Sequence, residues 1–205
     1  MRYFLVAVSL IWYSCTPSPQ GTEAQTAPAQ APSSGAGGKV LTLSSSESKV
    51  VAVGAKVTGK HEIAFPIQEG NLQLAENAPC LSSGKIVLDI AHLEVLDLQG
   101  EDKKELEEHL RSEDFFLTEK YPTAIFEITG CEKGTGDTIL LSGNLTMRGV
   151  TKNIRFPAVF TQSGDKWQAK AAFYINRQEW GIAYRGRKDN LIRDEVDIRL
   201  EIVAQ

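Results

Sequence analysis

From Val40 onward the chain alternates apolar and polar residues in one segment after another. Residues 49–58 place Val51, Val53, Ala55 and Val57 on one face, and residues 61–67 do the same with Ile63, Phe65 and Ile67. The pattern continues through residues 85–91 (Ile86, Leu88, Ile90), 123–130 (Ala124, Phe126, Ile128) and 138–147 (Ile139, Leu141, Gly143, Leu145, Met147). Three more runs complete it: 152–160 (Ile154, Phe156, Ala158, Phe160), 166–175 (Trp167, Ala169, Ala171, Phe173, Ile175) and 195–203 (Val196, Ile198, Leu200, Ile202). A period of two is the signature of a half-buried strand, because successive side chains leave a strand on opposite faces. Residues 40–43 and 71–75 are shorter runs, with Glu69-Gly70 read as a turn before the second. Gly54 and Gly59 read as bends or bulges. One stretch breaks the period. Residues 103–110 are charged, rich in helix formers, and carry Leu106 and Leu110 four apart, which predicts a short helical insertion over 101–110. Ser112, followed by Glu113 and Asp114, suits the N-cap of a further turn. Tyr121-Pro122 ends any helix, since a residue before proline is pushed to extended geometry.

The fold class is therefore all-β and antiparallel, with one wet face. The pattern is equally compatible with a sandwich and a barrel. The inward set mixes large rings with small residues (Ala55, Ala124, Gly143, Ala158, Ala169, Ala171). Space left by the small residues is filled either by neighbouring rings or by an apolar ligand.

The amino-terminal part reads differently. Residues 1–14 open with Arg2 and continue as an apolar run too short to span a bilayer, which is a targeting pattern. Cys15 follows the small Ser14 directly, as in a bacterial lipoprotein signal in which Cys15 becomes the acylated first residue. Trp12 and Tyr13 depart from that pattern, and an ordinary secretory signal with an unrelated cysteine is the alternative. Both readings export the protein. Residues 16–38 are Pro, Ser, Ala, Gln and Gly with almost no large apolar side chain, so a flexible linker is expected there. The folded domain is expected over 39–205.

The net charge of -4 gives no electrostatic footprint for nucleic acid. Three cysteines and three histidines, none at zinc-ligand spacing, predict no metal site. The chain carries no nucleophile elbow, phosphate loop, dinucleotide fingerprint or HExxH, so neither an enzyme nor a cofactor is expected. Cys80 precedes the strand starting near Lys85, and Cys131 follows the strand ending near Gly130. If those strands pair antiparallel across the helical insertion, the two thiols meet at one end. A disulfide between them suits an exported protein.

Three stretches carry a resemblance. They are His109-Leu-Arg-Ser-Glu-Asp-Phe-Phe-Leu-Thr-Glu-Lys-Tyr-Pro-Thr-Ala124, Leu141-Ser-Gly-Asn-Leu-Thr-Met-Arg-Gly-Val-Thr-Lys152 and Ile175-Asn-Arg177. In order and spacing they are similar to the YceI-like family of lipid-binding proteins, across roughly residues 40–205. The resemblance implies a lipocalin-like, eight-stranded antiparallel β-barrel with the short helical insertion before the DFF and KYPTA segments. It also implies a polyisoprenoid chain held inside the barrel. Ligand contacts would then fall on Phe65, Phe115, Phe116, Phe126, Phe156, Phe160, Trp167 and Phe173. Polar groups at the mouth would be Arg111, Lys120, Tyr121, Asn176 and Arg177. Many members carry Asp-x-x-His-Ser after the first strand. Here Ser44-Ser45-Ser46 stands in that region without a histidine, and Gly54 to His61 and Asp189-Asn-Leu resemble a variant subgroup. The expected function is a membrane-tethered carrier or store for an isoprenoid lipid or quinone at the periplasmic face of a bacterial envelope. The alternative is an envelope interaction or structural module with a solid barrel.

Overall fold

The computed structural model describes residues 18–35, 37–76 and 80–205. Its strands are β1 (Thr22–Glu23), β2 (Gln25–Pro28), β3 (Val40–Thr42), β4 (Lys49–Lys56), β5 (Gly59–Ala64), β6 (Ile67–Leu74), β7 (Leu81–Asp89) and β8 (Glu94–Val95). After helix α1 (Gly100–Arg111) come β9 (Thr123–Lys133), β10 (Thr138–Met147), β11 (Val150–Ser163) and β12 (Lys166–Asn176). A 3-10 turn (Arg177–Trp180), β13 (Gly186–Arg187), β14 (Asn190–Leu191) and β15 (Glu195–Ala204) complete the chain.

Thirteen of these segments form one sheet in the order β3-β6-β7-β9-β10-β11-β12-β15-β4-β5-β8, with β1 on β12 and β2 on β11. The sheet closes on itself. The Thr42 N–H donates to the Gln205 carbonyl at 2.8 Å and the Ser44 N–H to the Val203 carbonyl at 2.8 Å. Leu43 bridges Ala204. Thus β3 and β4 lie in one row beside β15, interrupted by the 44–48 turn. Likewise β5 and β6 form one row bent at Phe65-Pro66. The wall is then a ring of eight antiparallel rows, which is the fold the family resemblance implied. Glu69-Gly70, expected as a turn, lies inside β6, where the register shifts between Ile67 and Glu69. A bulge absorbs the extra residue without ending the strand.

The period-2 faces explain the core except on β4. There Val50 and Ala52, the latter paired with Ile198 and Ile63, line the interior in place of the expected Ala55 face, and Val57 is exposed. Ile139, Ile154, Phe156, Phe173 and Ile202, all from the inward sets, are buried, as is Leu41. The β10–β11 hairpin turns through Arg148 (φ 51°) and Gly149 (φ 74°). Two positive-φ residues make a turn whose twist matches the strands it joins. Helix α1 begins at Gly100, slightly earlier than expected. It buries Leu110 and packs Leu106 against a second apolar cluster with Phe65, Ile90, Leu93 and Val95. Ser112 ends this helix: its Oγ donates to the His109 carbonyl at 2.7 Å and accepts the Asp114 N–H at 3.3 Å. Cys80 and Cys131 are disulfide-bonded with Cα atoms 5.9 Å apart, at the end of the barrel opposite α1.

The expected flexible linker over 16–38 requires a correction. Residues 22–28 are part of the wall. β11 and β12 pair only from Val159–Ser163 to Lys170–Lys166 and then part. β2 fills the opening along β11, Thr26 opposite Ile154, while β1 runs parallel to β12, Thr22 opposite Phe173. Backbone groups that would otherwise be orphaned on both edges are satisfied. The segment then crosses the outside of the barrel. Ser33 bonds the Ile128 carbonyl (2.9 Å), and the Gln73 amide reaches the Gly37 carbonyl (2.6 Å). A chain too poor in apolar residues to make a core of its own is ordered because it borrows the edges of a core already made.

This strap explains two buried amides on the outer face. Asn144 Oδ1 accepts from the Gln30 N–H (3.0 Å) and from Asn153 Nδ2 (3.1 Å), while Asn144 Nδ2 donates to the Gln30 carbonyl (2.6 Å). Replacing Asn144 by Ala orphans strap and Asn153 groups and is expected to cost about 1–3 kcal/mol. It should also speed amide hydrogen exchange at Gln30 and at Ala24, whose N–H bonds the Tyr174 carbonyl at 3.0 Å. Unchanged exchange at both amides would mean that the backbone ladder alone holds the strap.

Candidate functional site

The barrel interior holds a central cavity of about 160 Å³ whose exposed wall is hydrocarbon throughout. It exists because inward positions on facing rows are small. Ala52 of β4, Ala124 of β9, Ala158 of β11 and Ala169 of β12 all line it. Gly143 does not add to it, because the Phe126 ring lies where a side chain at 143 would stand. At Gly143 the space is thus taken by a neighbouring ring, whereas at the four alanines it stays open.

Five of the eight rings expected inside line the cavity: Phe65, Phe116, Phe126, Phe156 and Phe173. Phe156 and Phe173 stack with centroids 4.1 Å apart, and Phe65 meets Phe116 edge-on at 5.6 Å. Such pairs hold a wall rigid as well as apolar. Three rings require correction. Phe160 and Trp167 stack on each other at 4.9 Å outside the lining, beyond Ala158 and Ala169 toward the β11–β12 turn. Phe115 also stays out of the lining. It sits among His109 (5.0 Å) and Tyr184 (5.5 Å), because neighbouring residues of a turn point apart and only Phe116 is aimed inward. Ile182, Met147 and Ile90 belong to the lining as well. Ile182 carries the weakest sequence signal of these, a single apolar residue inside an irregular loop.

One end of the cavity is covered by two segments. Phe116 comes from the loop after α1, and Ile182 from the loop after the 3-10 turn. Outside them the two loops touch through the rings of His109, Phe115 and Tyr184, with His109 and Tyr184 5.0 Å apart. The Phe115 carbonyl is further held by the Arg148 guanidinium from the β10–β11 turn. A mouth at this end would open along the seam between these loops. Met147 beside it is unbranched and adaptable, so this end of the cavity can reshape.

The polar groups expected at the mouth separate into different roles. Arg111 donates to the carbonyls of Ala91 (2.9 Å) and Leu93 (3.0 Å), fastening α1 to the loop before it. Asn176 caps the 3-10 turn by accepting the Gln178 N–H. Tyr121 lies against Gly149, with the Lys120 ammonium 5.1 Å from its ring centre. Arg177 alone reaches the lining. Its guanidinium is buried and turned onto Ile182 O (2.6 Å), Arg193 O (3.1 Å) and Asp194 Oδ1 (2.9 Å). Ile192 O lies at 3.5 Å. Burial lowers the Arg177 pKa and the Asp194 carboxylate opposes that. The residue remains cationic, as arginines in proteins do. It therefore shows the cavity only its stem, while its head clamps both ends of the 182–192 loop. Cys15 lies outside the described residues.

Comparison with known proteins points the same way. A family model described as the YceI-like domain matches residues 41–204. A UPF0312 protein of Shewanella denitrificans is 30% identical over 131 residues, covering 63% of this chain and 66% of that protein. A UPF0312 protein of Pseudomonas putida is 37% identical over 108 residues, covering 49% and 55%. The chain thus spans two thirds or less of the length of these relatives. Among solved structures, BcnA of Burkholderia cenocepacia superposes with a TM-score of 0.67 at 22% identity, over 80% of this chain and 99% of that one. A domain from Saccharophagus degradans described as polyisoprenoid-binding gives 0.62 at 13% identity, over 80% and 97%. At these identities the superpositions speak for the fold.

Proposed function

The chain belongs to the YceI-like domain family, and from that premise we propose that it binds an uncharged isoprenoid-type lipid, such as a polyprenyl or quinone tail, inside the barrel. The protein is exported to the bacterial envelope, held at the membrane through acylated Cys15, and acts as a carrier or store without catalysing a reaction. The observation that carries this reading is the all-hydrocarbon cavity, bounded by alanines on four rows. A charged or polar ligand would lose its hydration there and find no partner. An alkyl chain gains about 0.8 kcal/mol for each buried CH2. The description of the Saccharophagus degradans domain as polyisoprenoid-binding supports the same ligand class.

The volume bounds how the ligand enters. An engineered cavity of about 150 Å³ takes one benzene, so 160 Å³ holds about one ring- or isoprene-sized group with the walls as they stand. A longer chain is admitted by outward movement of Phe116 and Met147 at the seam.

The test is native mass spectrometry of the full chain isolated from bacterial membranes, with lipid extraction alongside. A co-purifying prenyl lipid or quinone is the expected result. Ala124→Phe places a ring in the space the ligand would use. Excluding five ligand carbons is worth about 4 kcal/mol, so occupancy should fall by roughly a hundredfold or more while the fold is retained. An empty wild type that takes up no added prenyl lipid, or a variant as fully loaded as the wild type, would refute this reading and leave an envelope interaction module.

A further inference from the structure

We propose that the paired loop tips at residues 56–60 and 185–191 form a docking surface for an anionic lipid bilayer. The inference deepens the carrier reading by assigning the end of the barrel that meets the membrane.

The tips are built as one unit. Val57 N–H donates to the Leu191 carbonyl at 3.2 Å, and both the N–H and the hydroxyl of Thr58 reach Asn190 Oδ1 at 3.3 and 3.1 Å. Lys56 bridges Ile192 below them. At the apex Val57 and Leu191 are each 51% exposed, on two strands of loop that the hydrogen bonds hold side by side. Around them stand Lys56, Lys60, Arg185, Arg187 and Lys188. Five cations thus face one carboxylate within the two segments, Asp189, although the chain as a whole carries -4. Among the described residues Lys56, Arg185, Arg187 and Lys188 form no salt bridge, and Lys60 reaches Glu62 only at 3.8 Å. Exposed apolar side chains flanked by cations, four of them in no salt bridge, match an anionic bilayer, which offers phosphates at its surface and hydrocarbon beneath.

Two further features place the same end at the membrane. The 185–191 tip grows from the loop whose ends Arg177 clamps, and Ile182 at its base lines the cavity. A lipid leaving the bilayer at the tip would therefore arrive beside the mouth. The described chain begins at Ser18, and Gln20 is already pinned to the wall, its N–H donating to Asp197 Oδ1 at 2.7 Å. Asp197 also binds Arg193, and the Arg193 N–H bonds Ala55 O just below the tip. Only the five residue steps from Cys15 to Gln20 separate an acyl anchor from this contact, a reach of at most about 17 Å. The ten residues of β15 span about 33 Å. An anchored barrel is thus held against the bilayer.

Amide hydrogen exchange of the full chain tests this, comparing vesicles of phosphatidylcholine alone with vesicles that also contain phosphatidylglycerol. Protection of 56–60 and 185–191 is expected only with the anionic lipid, and high salt should remove it. A cation near an anionic surface is worth roughly fivefold in affinity. Arg185→Gln, Arg187→Gln and Lys188→Gln together should therefore weaken vesicle binding of the tip by about a hundredfold. Equal exchange in the two vesicles, or protection of the opposite end around Gly134 and Gly164, would overturn the proposal. The triple variant leaves the cavity wall intact and keeps whatever lipid the barrel carries. Native mass spectrometry of that variant therefore reads the carrier function separately from docking.

Discussion

Reduction of the Cys80–Cys131 disulfide is expected to remove about 4 kcal/mol of stability. The bond joins residues 51 apart in sequence. In the chain-entropy account a closed loop of that size costs the unfolded ensemble about 14 cal/mol/K, or about 4 kcal/mol at 25 °C. For a domain of this size each kcal/mol moves the melting temperature by about 2–4 °C, so the midpoint should fall by roughly 8–16 °C. The loop includes α1 and the segment that carries Phe116 over the cavity, so the effect is global. Cys80 is buried and Cys131 packs on the same core, which resists reduction in the native state. The measurement is thermal unfolding of the oxidised and reduced protein, repeated with Cys80→Ser. A midpoint insensitive to reductant, with two free thiols in the denatured wild type, would show that the bond does not form.

Arg177→Met is expected to cost about 3 kcal/mol or more. The change keeps the apolar stem in the wall but deletes the head that satisfies Ile182 O, Arg193 O and the Asp194 carboxylate. Removing one partner of a buried charged pair is worth about 3–5 kcal/mol, because the groups left behind stay desolvated. Asp194 is 40% exposed and regains some water, which places the expectation at the lower end. Exchange across residues 182–192 should quicken more than elsewhere, since both ends of that loop are released. Arg177→Lys should restore less than half of the loss, because an ammonium cannot span the positions that the planar fork reaches. Chemical denaturation of the three proteins decides it. A loss below about 1 kcal/mol for Met would mean that the carbonyls find water and the clamp is dispensable.

Several of the residues that matter here carry no local mark of their importance. Phe115 and Phe116 are adjacent and chemically identical, yet one packs against His109 and Tyr184 and the other lines the cavity. Arg177 is expected as a polar group at the mouth, yet it is 3% exposed with its head turned onto loop carbonyls. Asn144 and Asn153 read as outward polar positions, which they are by strand alternation, but a strap from far upstream covers them. Residues 22–28 show neither alternation nor β-branched enrichment. Their pairing is made by backbone groups and depends on the gap between β11 and β12.

What the sequence determined is what one strand or one helix can record by itself. The period of two sorted Ile139, Leu141, Phe156 and Phe173 to the inner face, and the Leu106–Leu110 spacing oriented α1, because those patterns arise from backbone geometry over a few residues. Only the tertiary structure decided that Leu43 and Ala204 close the ring and that Ala52, Ala124, Ala158 and Ala169 leave a void while the space at Gly143 is taken by Phe126. It also decided that the strap completes the wall. Each of those outcomes depends on how far apart distant rows come to lie, and no single row encodes that distance.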